Sequence, residues 1–123
     1  MIAAPHGGSG KTVLPLGLLR ALSNRGLAVQ PFKKGPDYID TGWHTVAAHR
    51  DARNLDCFFM DDPKMRGVLR TAGEGADVCM VEGAMGLFDG LDVEGSSSSA
   101  EVAKRLGLPV VLVVDVTRMT RTT

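Results

Sequence analysis

The apolar positions of the chain fall into two patterns that predict alternating strands and helices. Continuous apolar runs alternate with segments in which apolar residues recur at helical spacing. The predicted strands are residues 1–5, 27–32, 76–82 and 108–116. The predicted helices are residues 12–25, 61–73 and 100–107. This alternation predicts an α/β fold, with a mostly parallel sheet, right-handed crossovers and helices on both faces.

Two prolines and two irregular segments modify this pattern. Pro15 lies about one turn into the first predicted helix, so we expect a disturbed first turn there. Pro31 places the end of the second predicted strand near an edge or a turn. Residues 33–60 have weak periodicity, which predicts a long loop of the functional or disordered kind. Residues 83–99 are rich in glycine and serine, and Ser-x-x-Glu from Ser98 predicts a helix N-terminus.

The last predicted strand, residues 108–116, is the run richest in β-branched residues. Its continuity predicts burial on both faces of the sheet. The chain stops shortly after it, at residue 123, which is an awkward place for a domain to end. We therefore expect the chain to be part of something larger, in which a later strand covers this one.

Composition and charge narrow the classes of function. The 123 residues are 44% apolar, enough for one small domain with a core. The 14 basic and 14 acidic residues cancel, which argues against binding to nucleic acid or a membrane surface. No apolar run approaches the roughly 20 residues of a membrane span, and no signal peptide is visible. Cys57 and Cys79 lack metal-binding spacing, and we expect Cys79 to be a buried thiol in a cytoplasmic protein.

The segment HGGSGKT, residues 6–12, has the composition of a phosphate-binding loop. Its glycines allow backbone N–H groups to face a phosphate at the start of a helix. The Lys11 side chain would reach the β- and γ-phosphates, and the Thr12 hydroxyl would bind Mg²⁺. Pro5 replaces the first glycine of the standard pattern, so the loop is a variant; a plain glycine-rich turn is the alternative. The predicted nucleotide-binding residues are Gly7, Gly8, Ser9, Gly10, Lys11 and Thr12.

Acidic residues near the predicted strand ends are candidate metal ligands. Glu82 and Asp115 each end an apolar run, and the carboxyl ends of parallel strands face one crevice. Each of the two is alternatively an exposed charge at a strand end. Asp89 lies between glycines that would let it fold back over the site. Asp37 and Asp40 lie in the long segment, and so many carboxylates imply a second ligand besides a metal ion.

Several segments resemble one enzyme family. Four segments are similar to sequences of the cobyrinic acid a,c-diamide synthase family: FKKGPDYIDTGWH, RNLD, VEGAMGLFDG and AAPHGGSGKT. That family belongs to the dethiobiotin-synthetase-like group of variant phosphate-loop proteins, and the resemblance covers nearly the whole chain. It implies a variant P-loop NTPase fold that is incomplete here. Residues 1–123 would be the N-terminal part of an ATP-binding synthetase domain, without the C-terminal glutaminase domain.

The resemblance also implies an activity. Members of the family are carbon–nitrogen ligases of cobalamin biosynthesis that amidate the a and c acetate carboxylates of cobyrinic acid through an acyl phosphate. ATP and Mg²⁺ are the implied cofactors, and a tetrapyrrole is the implied substrate. Ammonia would come from glutamine in the C-terminal glutaminase domain, so this chain alone is expected to be inactive.

Roles for individual residues follow from the same resemblance. Lys33 would lie near the transferred phosphate, and Glu82 would bind the metal ion together with Thr12. The implied catalytic residues are Lys33, Asp37 and Asp89. The implied substrate-binding residues are Tyr38, Ile39, Asp40, Arg53 and Asn54. Gly7 stands where the family usually has serine.

Several alternatives remain open at this stage. The same chemistry could act on hydrogenobyrinic acid or nickel sirohydrochlorin. A dethiobiotin-synthetase-like ligase without a glutaminase is a second class, although GPDYID suits the tetrapyrrole family better. A partitioning-type ATPase is a third class, but those proteins have an early second lysine where this chain has Pro5 and His6. A further hypothesis is that the chain is a truncated pseudo-enzyme that binds nothing. Assembly of the protein into a homo-oligomer is also possible at this point.

Overall fold

A computed structural model describes residues 1–117, which form one five-stranded sheet and four helices. The strands are β1 (Ile2–Ala3), β2 (Val29–Lys34), β3 (Arg53–Leu55), β4 (Val78–Glu82) and β5 (Val111–Leu112). The helices are α1 (Val13–Asn24), α2 (Ile39–Ala48), α3 (Asp62–Ala72) and α4 (Ser99–Leu106). The strand order is β3-β2-β4-β1-β5, and every pairing is parallel. The predicted α/β fold is confirmed.

The core occupies both faces of the sheet, which confirms the prediction of helices on both sides. On one face α1 and α2 pack on the start of β2, with a core of Leu19, Val29, Ala47 and Ala48. On the other face α3 and α4 cover a larger core of Phe32, Leu55, Met65, Val81, Val102 and Leu106. The carboxyl ends of the central strands are thereby held at one edge, where ligands bind in folds of this kind.

Helix α1 accommodates Pro15 without a break. Pro15 is its third residue and is buried. The amides of Leu14 and Leu16 on either side still donate to carbonyls of the preceding turn, at 3.2 and 3.3 Å. The predicted disturbance is therefore wrong, because the fixed φ of proline suits the first turn of a helix and few donors are required there.

Pro31 lies inside strand β2, which continues to Lys34, so the prediction that the strand ends at a turn beside Pro31 is wrong. The side of Pro31 that faces β3 is nevertheless unpaired, as at an edge. Pairing of β2 with β3 begins only at Phe32, one residue after the proline. The Pro31 carbonyl instead accepts from the side-chain amide of Gln30 at 3.0 Å, and that amide also donates to the Asp51 carbonyl at 2.8 Å. A side chain thus completes the hydrogen bonding where the ladder has not yet started.

Residues 33–60 are not a long loop, because α2 and β3 lie within them. Asp37 starts the helix, since its Oδ1 accepts from the amides of Ile39 and Asp40 at 2.9 and 3.1 Å. The helical pattern was hidden because α2 buries polar residues and exposes apolar ones. Its buried residues are Thr41, His44, Ala47 and Ala48, and its exposed apolar residues are Ile39, Trp43 and Val46.

Capping residues begin α3 and α4 as the sequence suggests. Asp61 Oδ1 accepts from the Lys64 amide at 2.9 Å, and Ser98 Oγ accepts from the Glu101 amide at 3.1 Å. Side-chain acceptors at these positions satisfy amides that have no partner inside the helix. None of the helices described in residues 1–117 is long and apolar enough to cross a membrane.

Strand β4 is less buried than its apolar sequence predicts. Cys79 is exposed, so the expectation of a buried thiol is wrong. The reason lies in α3, which ends at Gly73 directly against the cysteine: a Cβ added to that glycine would lie 2.8 Å from the Cys79 sulfur. Gly73 lies next to the Cys79 thiol but has no side chain that would shield the sulfur from solvent.

Strand β5 lies at an edge of the sheet in the described part of the chain. The amides of Val111 and Val113 donate to carbonyls of the β1 segment, each at 2.8 Å. The N–H of Leu112, between them, therefore faces away from the sheet. The predicted burial of residues 108–116 on both faces is wrong for the described part of the chain, because the side chains of β5 are exposed. In addition, β5 pairs there with β1 alone.

The 123-residue chain, produced alone, is expected to self-associate through β5, because an exposed apolar edge strand pairs readily with another molecule. Leu112→Pro removes the outward N–H but keeps both bonds to β1, so it should restore a monomer. Val111→Pro is the matched control, since it removes an inward bond and leaves the outward N–H. Sedimentation velocity would test this, and a monomer at high concentration with slow amide exchange across residues 109–115 would contradict it.

Candidate nucleotide-binding site

The segment between β1 and α1 has the backbone of a phosphate-binding loop. Gly8 and Gly10 have φ angles of 77° and 76°, in the left-handed region that glycine adopts without strain. The Ser9 hydroxyl donates to the His6 carbonyl at 2.9 Å and closes the turn. A cavity of about 220 Å³ is lined by Gly8, Gly10, Lys11, Thr12 and Val13. It lies at the N-terminus of α1, where free N–H groups and the helix dipole favour an anion.

Lys11 is oriented into this region with only 8% of its surface exposed. Burial lowers the pKa of Lys11, the positive charge of Lys33 lowers it further, and nearby Glu82, Asp40 and Asp89 compensate only in part. The positive charge of the Lys11 ammonium group is therefore only partly compensated by nearby carboxylates in the free protein. A bound phosphate would supply that charge, which makes Lys11 a fitting anion ligand.

Glu82, at the end of β4, is the centre of a hydrogen-bonded cluster and is 1% exposed. Its Oε1 accepts from the Thr12 hydroxyl at 2.8 Å and from Lys33 Nζ at 2.9 Å. Its Oε2 lies 2.6 Å from His44 Nε2. Burial alone raises the pKa of Glu82, but the hydrogen bonds from His44, Lys33 and Thr12 outweigh it and hold the pKa below its usual value. The carboxyl group is therefore ionised.

Lys33, near the end of β2, bridges two carboxylates. Its Nζ donates to Asp40 Oδ2 at 2.6 Å and to Glu82 Oε1 at 2.9 Å. Burial lowers the pKa of Lys33, but these two acceptors together raise it above its usual value. One network of hydrogen bonds thus joins predicted site residues from four parts of the chain: Thr12, Lys33, Asp40 and Glu82.

Thr12 and Glu82 fit a magnesium ion by their chemistry. Mg²⁺ prefers oxygen donors, keeps several waters, and at nucleotide sites uses one or two protein ligands beside phosphate oxygens. A hydroxyl and an ionised carboxylate oxygen 2.8 Å apart, next to the phosphate-binding loop, meet that requirement. Across residues 1–117, no group of three or more histidine, cysteine or acidic residues is arranged to hold a metal ion. The other carboxylates near the strand ends are therefore not assembled around one ion.

Asp115 differs from Glu82. It is exposed, and its Oδ1 accepts from the amide of Thr117 at 2.8 Å. The hydroxyl and amide of Thr117 hold the pKa of Asp115 below its usual value. Of the two strand-end acids, Glu82 is the one joined to Thr12; a role for Asp115 at the site stays a prediction.

Asp37 and Asp89 each fix a loop beside the cluster. Asp37 Oδ1 accepts from two amides in the first turn of α2, and Asp89 Oδ2 accepts from the Gly86 amide at 2.7 Å. Asn54, on β3, donates to the carbonyls of Gly35 and Asp37 at 2.7 and 2.8 Å and so orders the first of these loops. Contact of these residues with a substrate stays a prediction.

The loop after β4 is packed against the phosphate-binding loop. The Leu87 amide donates to the Ala4 carbonyl at 2.7 Å. A Cβ added to Gly86 would lie 2.6 Å from both the Pro5 carbonyl and Asp89 Oδ2, so only glycine fits there. Pro5, the residue that departs from the standard pattern, is thereby part of the contact between the two loops.

Exposed apolar and charged side chains surround the cluster at the same edge of the sheet. Tyr38 and Ile39 are largely exposed. Arg53 is also exposed, donates to the Ala52 carbonyl at 3.1 Å and forms a long ion pair with Asp51 at 3.7 Å. A groove of about 310 Å³ lies nearby, lined by Lys34, Gly35, Pro36, Asp56, Phe58, Phe59, Leu91 and Ser97. Exposed apolar side chains grouped in this way commonly mark a binding surface.

Comparison with known proteins places the chain in a family. The family described as CobQ/CobB/MinD/ParA nucleotide binding domain, CbiA, matches residues 1–122. The chain belongs to this family. The predicted resemblance to the family and the prediction of a nucleotide-binding domain are therefore confirmed, whereas the assignment of the nucleotide contacts to the glycine loop stays a prediction.

Curated relatives of this CbiA domain are named for one type of reaction. The cobyrinate a,c-diamide synthase of Magnetococcus marinus is 57% identical over 98% of the chain. The hydrogenobyrinate a,c-diamide synthase of Rhodobacter capsulatus is 57% identical over 94% of it, and the cobyrinate a,c-diamide synthase of Salmonella typhimurium is 47% identical over 94%. The chain spans 26%, 27% and 25% of these three relatives, about a quarter of their length.

Three side chains near the site of this CbiA domain had no predicted role in the sequence analysis. His44 lies in the quoted segment that ends at that residue, but the histidine itself gave no indication of its contact with Glu82. Phe58 and Phe59 pack edge to face with ring centroids 4.9 Å apart, and are 70% and 68% exposed. The two adjacent aromatic residues that follow RNLD and Cys57 were the available signal for this groove.

Proposed function

We propose that the full-length protein is an ATP- and glutamine-dependent ligase that amidates the a and c acetate carboxylates of cobyrinate in cobalamin biosynthesis. The observation that supports this most directly is the buried cluster of Lys11, Thr12, Lys33 and Glu82 beside a glycine loop. The 57% identity to a cobyrinate a,c-diamide synthase supports the choice of substrate.

The glycine loop and the N-terminus of α1 would bind the phosphates of ATP through backbone N–H groups. Thr12 and Glu82 would hold Mg²⁺, which neutralises charge on the phosphates when it is bound. Lys11 would bind the terminal phosphates. Lys33, which is kept charged by Asp40 and Glu82, would lie near the phosphoryl group that is transferred.

Two lysines are needed because the first step joins two anions. A substrate carboxylate oxygen attacks the γ-phosphorus, the bond to the ADP oxygen breaks, and an acyl phosphate forms. Positive charges placed around the transferred group reduce the repulsion in this step. Ammonia from glutamine then attacks the acyl carbon, phosphate leaves with the bonding electrons, and loss of a proton gives the amide. A separate C-terminal glutaminase domain would supply the ammonia.

The loops around the cluster suit a large substrate with both apolar and acidic parts. Arg53 offers an exposed guanidinium group to a peripheral carboxylate, and the groove beside Phe58 and Phe59 offers an apolar surface. Tyr38, Ile39, Asp40 and Asn54 would line the approach, while Asp37 and Asp89 would hold the substrate carboxylate through the loops they fix. The alternative substrate is hydrogenobyrinate, because the Rhodobacter capsulatus relative is equally similar.

An absorbance titration of the full-length protein with each tetrapyrrole would test the proposal. We expect cobyrinate or hydrogenobyrinate to change its spectrum on binding. Mass spectrometry should then show two ATP-dependent amidations, each adding one ammonia and removing one water. ATP hydrolysis that is independent of any tetrapyrrole, with no spectral change, would contradict the proposal and favour a partitioning-type ATPase.

Replacing Asp89 with asparagine is expected to separate the two chemistries of the full-length protein. Asparagine still offers an oxygen to the Gly86 amide, so the loop is kept while the charge is lost. Amidation should fall about 100-fold, because the Asp89 charge that acts on Lys11 is lost and the reacting groups are then placed less accurately, while glutamine hydrolysis persists. Asp92→Asn is the matched control, because Asp92 also accepts from a loop amide, that of Ser96. Equal loss of both activities in Asp89→Asn would make Asp89 structural.

A further inference from the structure

His44 is a buried side chain beside the Glu82 cluster that uses only half of its hydrogen-bonding capacity. It lies on the inner side of α2 and is 1% exposed. Its Nε2 lies 2.6 Å from Glu82 Oε2. Its Nδ1 is also buried and makes no hydrogen bond with any residue of the described part of the chain. One half of the imidazole is therefore engaged and the other half is not.

An imidazole with one unpaired nitrogen is a poor choice for packing alone. A buried polar atom without a partner costs free energy, and an apolar side chain of similar size would avoid that cost. The neighbouring buried residues of α2 include Ala47 and Ala48, which pack in the apolar core. The bond to Glu82 is thus the feature that distinguishes histidine from a leucine at this position.

The bond has a defined direction. Glu82 is ionised, so its oxygens only accept, and His44 Nε2 must carry the proton that is shared. His44 occupies Oε2, which leaves Oε1 as the oxygen that meets Thr12 and Lys33. The two oxygens of one carboxylate are therefore divided between α2 on one side and the phosphate-binding loop on the other.

We propose that His44 is a positioning residue for Glu82. By holding Oε2, it keeps Oε1 beside the Thr12 hydroxyl, and thereby sets the affinity of the site for a magnesium–nucleotide complex. His44 acts through Glu82 and touches neither the ion nor the nucleotide. The inference rests on the proposed function, because it takes Thr12 and Glu82 as the pair that binds Mg²⁺.

Two amide substitutions provide a matched test in the full-length protein. The side-chain nitrogen of glutamine reaches the place of His44 Nε2, whereas that of asparagine reaches the place of Nδ1. His44→Gln keeps a donor to Glu82, and His44→Asn removes it. Calorimetric titration with ADP would be done with Mg²⁺ and again with EDTA, and circular dichroism would confirm folding.

We expect His44→Asn to weaken binding of Mg²⁺–ADP about 10- to 100-fold, the usual effect of losing a hydrogen bond to a metal ligand. Binding of ADP in EDTA should be unchanged, because the glycine loop is intact; a merely structural defect would weaken both. His44→Gln should behave like the unmodified protein. His49→Asn is the control, because His49 is exposed, ends the same helix and contacts Arg20 rather than the cluster.

The outcomes separate this inference from the proposed function. An unmodified protein that binds ADP equally with Mg²⁺ and with EDTA would contradict the assignment of Thr12 and Glu82. If the unmodified protein requires Mg²⁺ and His44→Asn does too, with equal affinity, the role of His44 is overturned. Should His44→Asn fail to fold, His44→Gln decides. Retained magnesium dependence supports the role, and its loss or a failure to fold overturns it.

Discussion

Replacing Lys11 with methionine in the full-length protein is expected to lower ATP-dependent amidation about 100- to 1,000-fold, the usual cost of removing one charged or hydrogen-bonding group from a transition state. The same change should leave the fold as stable as before or more stable. The charged form of Lys11 is disfavoured in the free protein by burial and by Lys33. A neutral side chain of similar length removes that unfavourable interaction and keeps the packing.

Initial-rate assays with cobyrinate, Mg²⁺ and glutamine, together with thermal melts, would measure both effects. Lys104→Met is the control, because Lys104 is exposed on α4 and its ion pair with Glu101 at 3.5 Å is worth little. Near-normal turnover of Lys11→Met would remove Lys11 from the site. A large loss of melting temperature would show that Lys11 stabilises the fold.

Replacing Glu82 with glutamine is expected to damage both stability and activity. Glutamine keeps the size of the side chain but removes the charge that faces Lys33. Breaking a buried ion pair leaves an uncompensated charge and costs of the order of 3 kcal/mol, although Asp40 remains as a second partner. Amidation should be abolished, because the loss of the carboxylate also removes the proposed metal ligand. Chemical denaturation and rate assays would measure the two effects separately.

The stability difference between the unmodified protein and Glu82→Gln should depend on pH. The pKa of Glu82 is lowered in the folded protein, so its ionised form adds stability that is fully present above the ordinary glutamate pKa of about 4.3. That contribution is lost as the pH falls below this value and through the lower pKa of the folded state. Urea unfolding at neutral pH and in acid tests this, and an equal difference at both would show that Glu82 is not held ionised by its neighbours.

Simple rules explain why some of the predicted site residues lie together in the structure. The glycine loop is a continuous segment, and Glu82 was found because the carboxyl ends of parallel strands share an edge. Lys33 was assigned from resemblance alone, and its contact with Glu82 depends on the strand pairing that brings β2 beside β4. The first two assignments need only the local sequence and the fold class, whereas that of Lys33 does not follow from either.

The failures share one feature, because in each the contacts of individual side chains are not described by the apolar pattern of the element. Helix α2 was missed because its buried face carries Thr41 and His44, which reverse the usual apolar pattern. His44 and Glu82 are 38 positions apart, and no periodicity relates them. Pro31 is accommodated by Gln30, and Cys79 is exposed because Gly73 covers nothing. Sequence patterns describe the average environment of an element and not its individual neighbours.

The strand order determines when this site can form during synthesis. Strands β1 and β2 are made first, yet they are not neighbours, because β4 is inserted between them. In a nascent chain that has not yet reached Glu82, β1 and β2 therefore lack the strand that lies between them. Lys11 and Lys33 also lack the Glu82 carboxylate, which lies near both of them in the folded protein. Contacts that must wait for a distant segment slow folding and prolong exposure of unpaired strands. Release of β4 from the ribosome is therefore the event that joins β1 to β2 and brings the residues of the site together, before β5 is added beside β1.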